Sequence, residues 1–333
     1  MSGKEGSNGS VVDGRYLAFG LRWRSDIALP ELRTAPDTQG VDVDVRLGPV
    51  PPLAEPFTRV EEVAQVSSRA FVLDMAGVAR FGLFDGSKIV VEPYDEASPA
   101  DIRAHLLGSI TGALLLQRGL LPLHASAALV EGKAVAIVGA SGAGKSTLAL
   151  ALHERGWPLL CDDICALDMS DEGPPLLWPG LVRLKLWGNS LDALNRPSAG
   201  LDPVPSSDGK FSLAADRLGA HRATPLHAIY VLERAEDGDA EITPMRGAAA
   251  FGAIVSNSFR GLLVEPMGKG PGHFARCAAL ARACPVFALS RPWNIAALGV
   301  SVAGLLDHIG KMDRLFPTPR TAYGLRQESS GTE

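Results

Sequence analysis

Gly139, Gly144, Lys145 and Ser146, in "GASGAGKS", satisfy the pattern G-x-x-x-x-G-K-[ST], and each residue type has a chemical reason to stand there. The glycines let the backbone curl closely round an anion, so that successive N–H groups from Gly139 through Ala140, Ser141, Gly142, Ala143 and Gly144 turn toward its oxygens. Lys145 reaches the β- and γ-phosphates of a nucleoside triphosphate, the Ser146 hydroxyl suits Mg²⁺, and Thr147 continues the turn. The match follows the apolar run "AVAIV" and opens the helix-like "TLALALHERG", so a helix dipole presents its positive end to the same anion. In that setting the spacing implies ATP and Mg²⁺ as the bound cofactors.

Downstream, "PLLCDD" puts Asp162 and Asp163 at the end of a short apolar run, where charge is costly unless it is used. One carboxylate beside a phosphate loop holds the water shell of the metal, and either aspartate fits that task. A second one is what an enzyme carries when it moves a γ-phosphoryl group to an alcohol and needs an acceptor for the hydroxyl proton. The plainer alternative is that Asp163 is solvated or caps the next turn. His124, in "LPLHASAALV" one strand before the loop, is placed to bond an aspartate and tune its basicity. Without such a partner it is a structural histidine.

These residues need elements to position them. Residues 15 to 95 hold short β-like pieces punctuated by Pro and Gly, with Asp85-Gly86 as a hairpin turn. A helix follows, capped by Ser98 with Pro99 and Asp101 behind it, and it continues to Leu116. Strands are expected over 121–130 and 134–138, then the glycine loop, a helix and a strand, which is a βαβ-type order. "LVRLKLW" alternates so that Arg183, Lys185 and Trp187 share one face. Residues 197–211 read as a loop suited to close as a lid, and "HAIYVLERAEDGDAEITPM" as two strands around Asp237-Gly238. Helices are expected over about 246–259 and 272–283, then the strand "VFALS" and a last helix from Asn294 to Lys311. The fold class is α/β. Its divisions are a tail at 1–13, a small mostly-β N-terminal region at 14–95, a catalytic domain at 96–316 and a tail at 317–333.

Composition bounds the partners. A chain of 333 residues with 46% hydrophobic and 21% charged residues has the profile of a globular protein with room for two cores. A formal net charge of −5 argues against nucleic acid as a partner. The longest apolar stretch, "LLGSITGALLL", is too short for a bilayer, which needs about 20 apolar residues, so no membrane association and a cytoplasmic location are expected. Cys161, Cys165, Cys277 and Cys284 have neither disulfide-framework nor zinc spacing and read as buried reduced thiols.

The stretch "LHASAALVEGKAVAIVGASGAGKSTLALALHERGWPLLCDD" resembles the catalytic core of the HPr kinase/phosphorylase family, with a histidine after a leucine, a phosphate loop and a double aspartate in that order. The resemblance implies a P-loop kinase-type core like the C-terminal domain of that family. It also implies an ATP- and Mg²⁺-dependent transfer to a seryl hydroxyl. By it, Asp162 becomes the base, Asp163 a metal ligand or an orienting partner of His124, and His124 a catalytic auxiliary. The family's downstream E-x-R-G-x-G run is absent, and "LHASA" replaces its "HGV". "LHASA…GxSGAGKSTLA…DD…RLKLW" is closer to the related proteins linked to lasso-peptide biosynthesis, some of which phosphorylate the C-terminal serine of a precursor peptide. That resemblance adds Arg183 and Lys185 as catalytic cations, with Lys210 closing over the site, and a serine-bearing peptide or small protein as partner. A homo-oligomer is compatible with it. Two rival readings keep the loop: a kinase of a small-molecule alcohol, and a nucleotide-gated binding module without transfer.

Overall fold

The computed structural model describes residues 12–36, 40–169, 173–204, 209–215, 222–235 and 240–315. The tails over 1–11 and 317–333, the turn at Asp237-Gly238 and positions 205–208 of the expected lid lie outside these residues.

A nine-stranded sheet comes first: β1 (Gly14–Ala18), β2 (Leu21–Ser25), β3 (Arg33–Thr34), β4 (Val43–Leu47), β5 (Thr58–Val60), β6 (Ala64–Val66), β7 (Ala70–Met75), β8 (Ala79–Phe84) and β9 (Lys88–Pro93), in the order β3-β1-β2-β4-β9-β8-β7-β6-β5. β2 alternates, while β7, β8 and β9 bury consecutive residues. In β2, Leu21, Trp23 and Ser25 are buried, while Arg22 and Arg24 turn to the other face and pair with Asp42 and Asp44 at 2.9 Å each.

Next comes α1 (Pro99–His105), where the Asp101 N–H donates to Ser98 Oγ at 3.2 Å. The single helix expected to run to Leu116 is interrupted by a wide π turn at Leu106–Ile110 before α2 (Thr111–Gln117). Thr111 Oγ1 donates to the Leu106 carbonyl at 2.9 Å, a side-chain bond that accompanies the widened turn. Leu106, Ile110 and Leu114 share one core with Trp23, Phe81, Leu83 and Ile89. The helix therefore packs on the N-terminal sheet.

The elements that follow, in chain order, are β10 (Leu121–Leu123), β11 (Ala125–Val130), β12 (Lys133–Val138), α3 (Lys145–Glu154), β13 (Leu159–Cys161), β14 (Cys165–Asp168), β15 (Leu176–Trp178), β16 (Arg183–Trp187), α4 (Gly188–Ala193), β17 (Asp202–Pro203), β18 (Lys210–Ala214), β19 (Thr224–Ala235), β20 (Glu241–Met245), α5 (Ala248–Ser256), α6 (Gly270–Ala283), β21 (Val286–Pro292) and α7 (Leu298–Leu315). All of these strands but β16, β17 and β18 form a second, mixed sheet. The path that carries the site runs β13-β11-β12-β19-β21-β20. β12, β19 and β21 are parallel, and β13 runs with them because both β12 and β13 are antiparallel to β11. Their carboxyl ends meet at one edge, where open α/β sheets bind ligands.

Three sequence expectations change here. The run 121–130 is two strands, broken at His124: β10 pairs with β14, and β11 with β12 and β13. β19 and β20 do not form a hairpin, because β21 lies between them and pairs with both. The 197–211 segment contributes β17 and the start of β18, which join β16 in a separate three-stranded sheet.

The core beneath the site is built mainly of aliphatic side chains. Leu148, Leu150 and Leu152 of α3 lie against Val302, Leu305 and Ile309 of α7 in one cluster. Each fully buried side chain of this kind contributes about 1.5–3 kcal/mol. All four cysteines are free and buried. Among the described residues, no helix is long and apolar enough to cross a membrane.

Candidate active site

β12 delivers the glycine loop to the sheet edge. Gly139 leaves the strand so close to its neighbour that a Cβ there would stand 3.0 Å from the Leu232 carbonyl oxygen. Gly144, at φ 91°, makes the turn into α3 that a residue with a side chain adopts only under strain. Lys145 is buried and donates from Nζ to the carbonyls of Gly139 at 2.8 Å and Ala140 at 3.2 Å. Burial lowers its pKa, opposed by the charges of Asp162 and Asp163. Residues Ser141 to Thr147 line a cavity of about 790 Å³, together with His124, Asp162, Asp163, Lys185 and Arg291.

The two aspartates occupy different environments. Asp162, 2% exposed, receives hydrogen bonds from Ser126 Oγ at 2.5 Å and from Ser146 Oγ at 3.0 and 3.1 Å. Burial raises its pKa, and the Ser126 bond partly opposes this. Asp163 has 27% of its side chain exposed; its carboxylate meets His124 Nδ1 at 3.2 Å and Lys185 Nζ at 2.7 Å. Burial alone would raise its pKa, but the His124 bond and the Lys185 charge outweigh it and hold the group well below the usual carboxylate range.

Backbone geometry explains how both carboxylates reach one cavity. Consecutive residues of a strand point to opposite faces, so an unbroken strand would send one aspartate away. The strand instead stops at Cys161, and the Ile164 N–H donates back to the Asp162 carbonyl at 2.9 Å around Asp163, whose φ is 70°. This is a three-residue turn of the strained, positive-φ kind. The break at His124 lies beside it: Nδ1 is 3.1 Å from the Asp163 carbonyl oxygen.

The structure therefore puts Asp162 on Ser146 and Asp163 on His124, the second of the two places the resemblance implies for Asp163. Lys185 is on the cavity, and Lys210 lines it above Trp187, with Nζ 4.8 Å from the ring centre. Arg183 is not brought there. It shares the outward face of β16, but its guanidinium is held by Ser212, by Asp202 at 2.8 Å and by Glu31 at 3.5 Å. Those two carboxylates neutralise it away from the cavity, Asp202 from β17 of the same small sheet and Glu31 from the N-terminal region.

Ser126 on Asp162 escaped sequence reading, and so did two residues from farther along the chain. Asn257, at the end of α5, accepts the Gly139 N–H on Oδ1 at 2.8 Å, while its own carbonyl accepts the His124 N–H at 2.7 Å. It sets the loop and the histidine in one frame, and nothing local in "IVSNSF" marks it. Asn257→Ala strips the acceptor from the Gly139 N–H, a loss of roughly 1–2 kcal/mol. The expected result is a lower Tm, with about tenfold weaker binding of a phosphate ligand at the loop by calorimetry. The other residue is Arg291, at the end of β21. Its signal was a charge closing the apolar run "VFALSR", the same signal that singled out the aspartates.

The chain is thus a mixed α/β protein of several sheets, with a glycine loop, a split aspartate pair and a histidine gathered at one sheet edge. No family model matches it, and no curated protein matches it. Among solved structures it is similar to the HPr(Ser) kinase/phosphatase from Coxiella burnetii, at 16% identity over 58% of this chain and 98% of that one, with a TM-score of 0.31. So low a score carries no weight for function, which is read from the residues alone.

Proposed function

We propose that this chain is an ATP- and Mg²⁺-dependent serine kinase. It moves the γ-phosphoryl group of ATP to a seryl hydroxyl of a peptide or small protein, with the C-terminal serine of a lasso-type precursor as the first acceptor to try. The observation that carries the reading is the split of the aspartate pair. Neighbouring carboxyls held on different partners, one on the loop serine and one on a histidine and a lysine, are what a phosphoryl transfer with separate metal and base functions needs.

Ser146 Oγ and the Asp162 carboxylate are hard oxygen donors. Among the described residues there is no cluster of three or more His, Cys, Asp or Glu side chains of the kind that holds a transition metal. One carboxylate and one hydroxyl, completed by phosphate oxygens and water, fit Mg²⁺, which would neutralise charge on the β- and γ-phosphates. Asp162 then anchors the metal side and Asp163 is the base, whereas the resemblance implies Asp162 as the base. Both Asp163 oxygens are engaged, yet a carboxylate has about four acceptor positions, which leaves room for the incoming hydroxyl. Asp163 takes its proton as the oxygen attacks phosphorus, and the bond from phosphorus to the ADP oxygen breaks. Lys145 and the α3 N-terminus hold the phosphates throughout. Lys185 and His124 orient Asp163 and keep it ionised.

The test is intact-mass analysis of serine-ending peptides encoded beside the gene, incubated with the full chain, ATP and Mg²⁺. The expected result is a gain of one phosphoryl group on a peptide. Phosphate release without a labelled acceptor would make the protein a nucleotide hydrolase. Tight ATP binding without turnover would make it a binding module.

A further inference from the structure

Arg291 is 5% exposed, and no carboxylate among the described residues pairs with it. Among the described residues its Nε has no hydrogen-bond partner, and its side chain bonds from Nη1 to the Pro292 carbonyl at 3.4 Å, the long limit for such a contact. Burial lowers its pKa. A buried, uncompensated guanidinium is strongly destabilising, and the usual remedy is a fixed counter-charge. None is present among the described residues, and the side chain lines the cavity. An Nη lies only 2.6 Å from where a Cβ on Gly144 would stand, so the last glycine of the loop leaves the space this guanidinium fills.

Strand order says which part of a ligand it faces. β13 with the aspartates lies on one side of β12, two places away through β11. β21 with Arg291 lies two places away on the other side, through β19. The reacting end of the triphosphate belongs with the aspartates, and the inner phosphates with Arg291. Trp293, half exposed, continues along the same wall with Arg234 5.0 Å from its ring centre.

Building on the reading of the loop as a nucleotide site, we propose that Arg291 is the second fixed cation of the phosphate cradle. It binds the α- and β-phosphates from the side opposite the aspartate pair. When the bond between the γ-phosphorus and the bridging oxygen breaks, both electrons stay on that oxygen, the acceptor proton goes to Asp163, and the charge gained by ADP falls beside Arg291. Arginine suits this role because its planar fork offers several donors to phosphate oxygens at once.

Calorimetric titration of the full chain with ADP and with inorganic tripolyphosphate tests it without any turnover. Wild type binds both. Arg291→Met binds each about 10- to 100-fold more weakly, the loss of one charge-assisted contact, and Arg291→Lys recovers part of it. Without ligand, Arg291→Met melts above wild type, because an unpaired buried charge has gone. Should Arg291→Met not fold, Arg291→Gln carries the same comparison. Unchanged ADP and tripolyphosphate affinity in the variant would overturn the role of Arg291 and leave the loop reading intact. No binding of either by wild type would sink both.

Discussion

Asp163→Asn is expected to slow phosphoryl transfer by about 10²- to 10⁴-fold, the range for loss of a positioned base, while the ATP Kd stays within about threefold of wild type. The substitution keeps the shape of the side chain and a carbonyl oxygen for His124 or Lys185. It removes the negative charge that would take up the hydroxyl proton. The partners of the Asp163 carboxylate are His124 and Lys185, both off the glycine loop. Nucleotide binding, which rests on the loop and Lys145, should therefore survive. The measurement is single-turnover transfer to the peptide acceptor beside a separate binding titration. Transfer by Asp163→Asn at near wild-type rate would return the base role to Asp162, as the family resemblance implies.

Asp162→Asn should fail differently. Asp162 is held by two serine hydroxyls, one of them the loop serine, and has almost no solvent contact. A carboxyl whose folded pKa lies above its unfolded value favours the fold only while protonated. Stability is lost as pH rises from the unfolded pKa, about 3.9, through the folded one, so the cost grows across that window. Removing the charge should raise the Tm of the ligand-free protein at pH 7, even as Ser146 loses its ionic partner. Transfer should fall by at least about 10²-fold, with a shift to much higher Mg²⁺ requirement. A stabilised protein with poor metal response is the pattern of a site that sacrifices stability for function. A lower Tm with unchanged Mg²⁺ dependence would contradict the assignment of Asp162 to the metal side.

The two variants separate the aspartates by different readouts, one by rate at saturating metal and one by metal dependence and melting. Neighbours in one network are not additive, so the double variant is expected to be no worse than the poorer single one.

Much of this site is legible in the order of residues alone. The glycine loop between an apolar strand and a helix is a local pattern, because phosphate-type cradling needs its glycines, lysine and serine within one turn of chain. So are the Ser98 cap, whose oxygen reaches only three residues ahead, and the alternation of "RLKLW", which sets Arg183, Lys185 and Trp187 on one side of β16. A burial period or a cap depends on residues a few positions apart, and those the chain carries in its own order.

What tertiary structure decided is where such pieces meet. Arg183 and Lys185 share a face, yet Glu31, from the distant N-terminal region, and Asp202 claim one of them, and Asp163 claims the other. The run 121–130 looks continuous, but it breaks at His124 where the chain changes pairing partners, and that break lies against the turn at Asp162 and Asp163. That coincidence puts His124 against Asp163 and turns adjacent aspartates into a metal-side group and a base. Asn257 and Arg291 enter from elements more than a hundred residues downstream of the loop, brought by β21 settling between β19 and β20. Strand pairing over such separations depends on which apolar faces can be buried together, a property of the whole core that no local run of residues records.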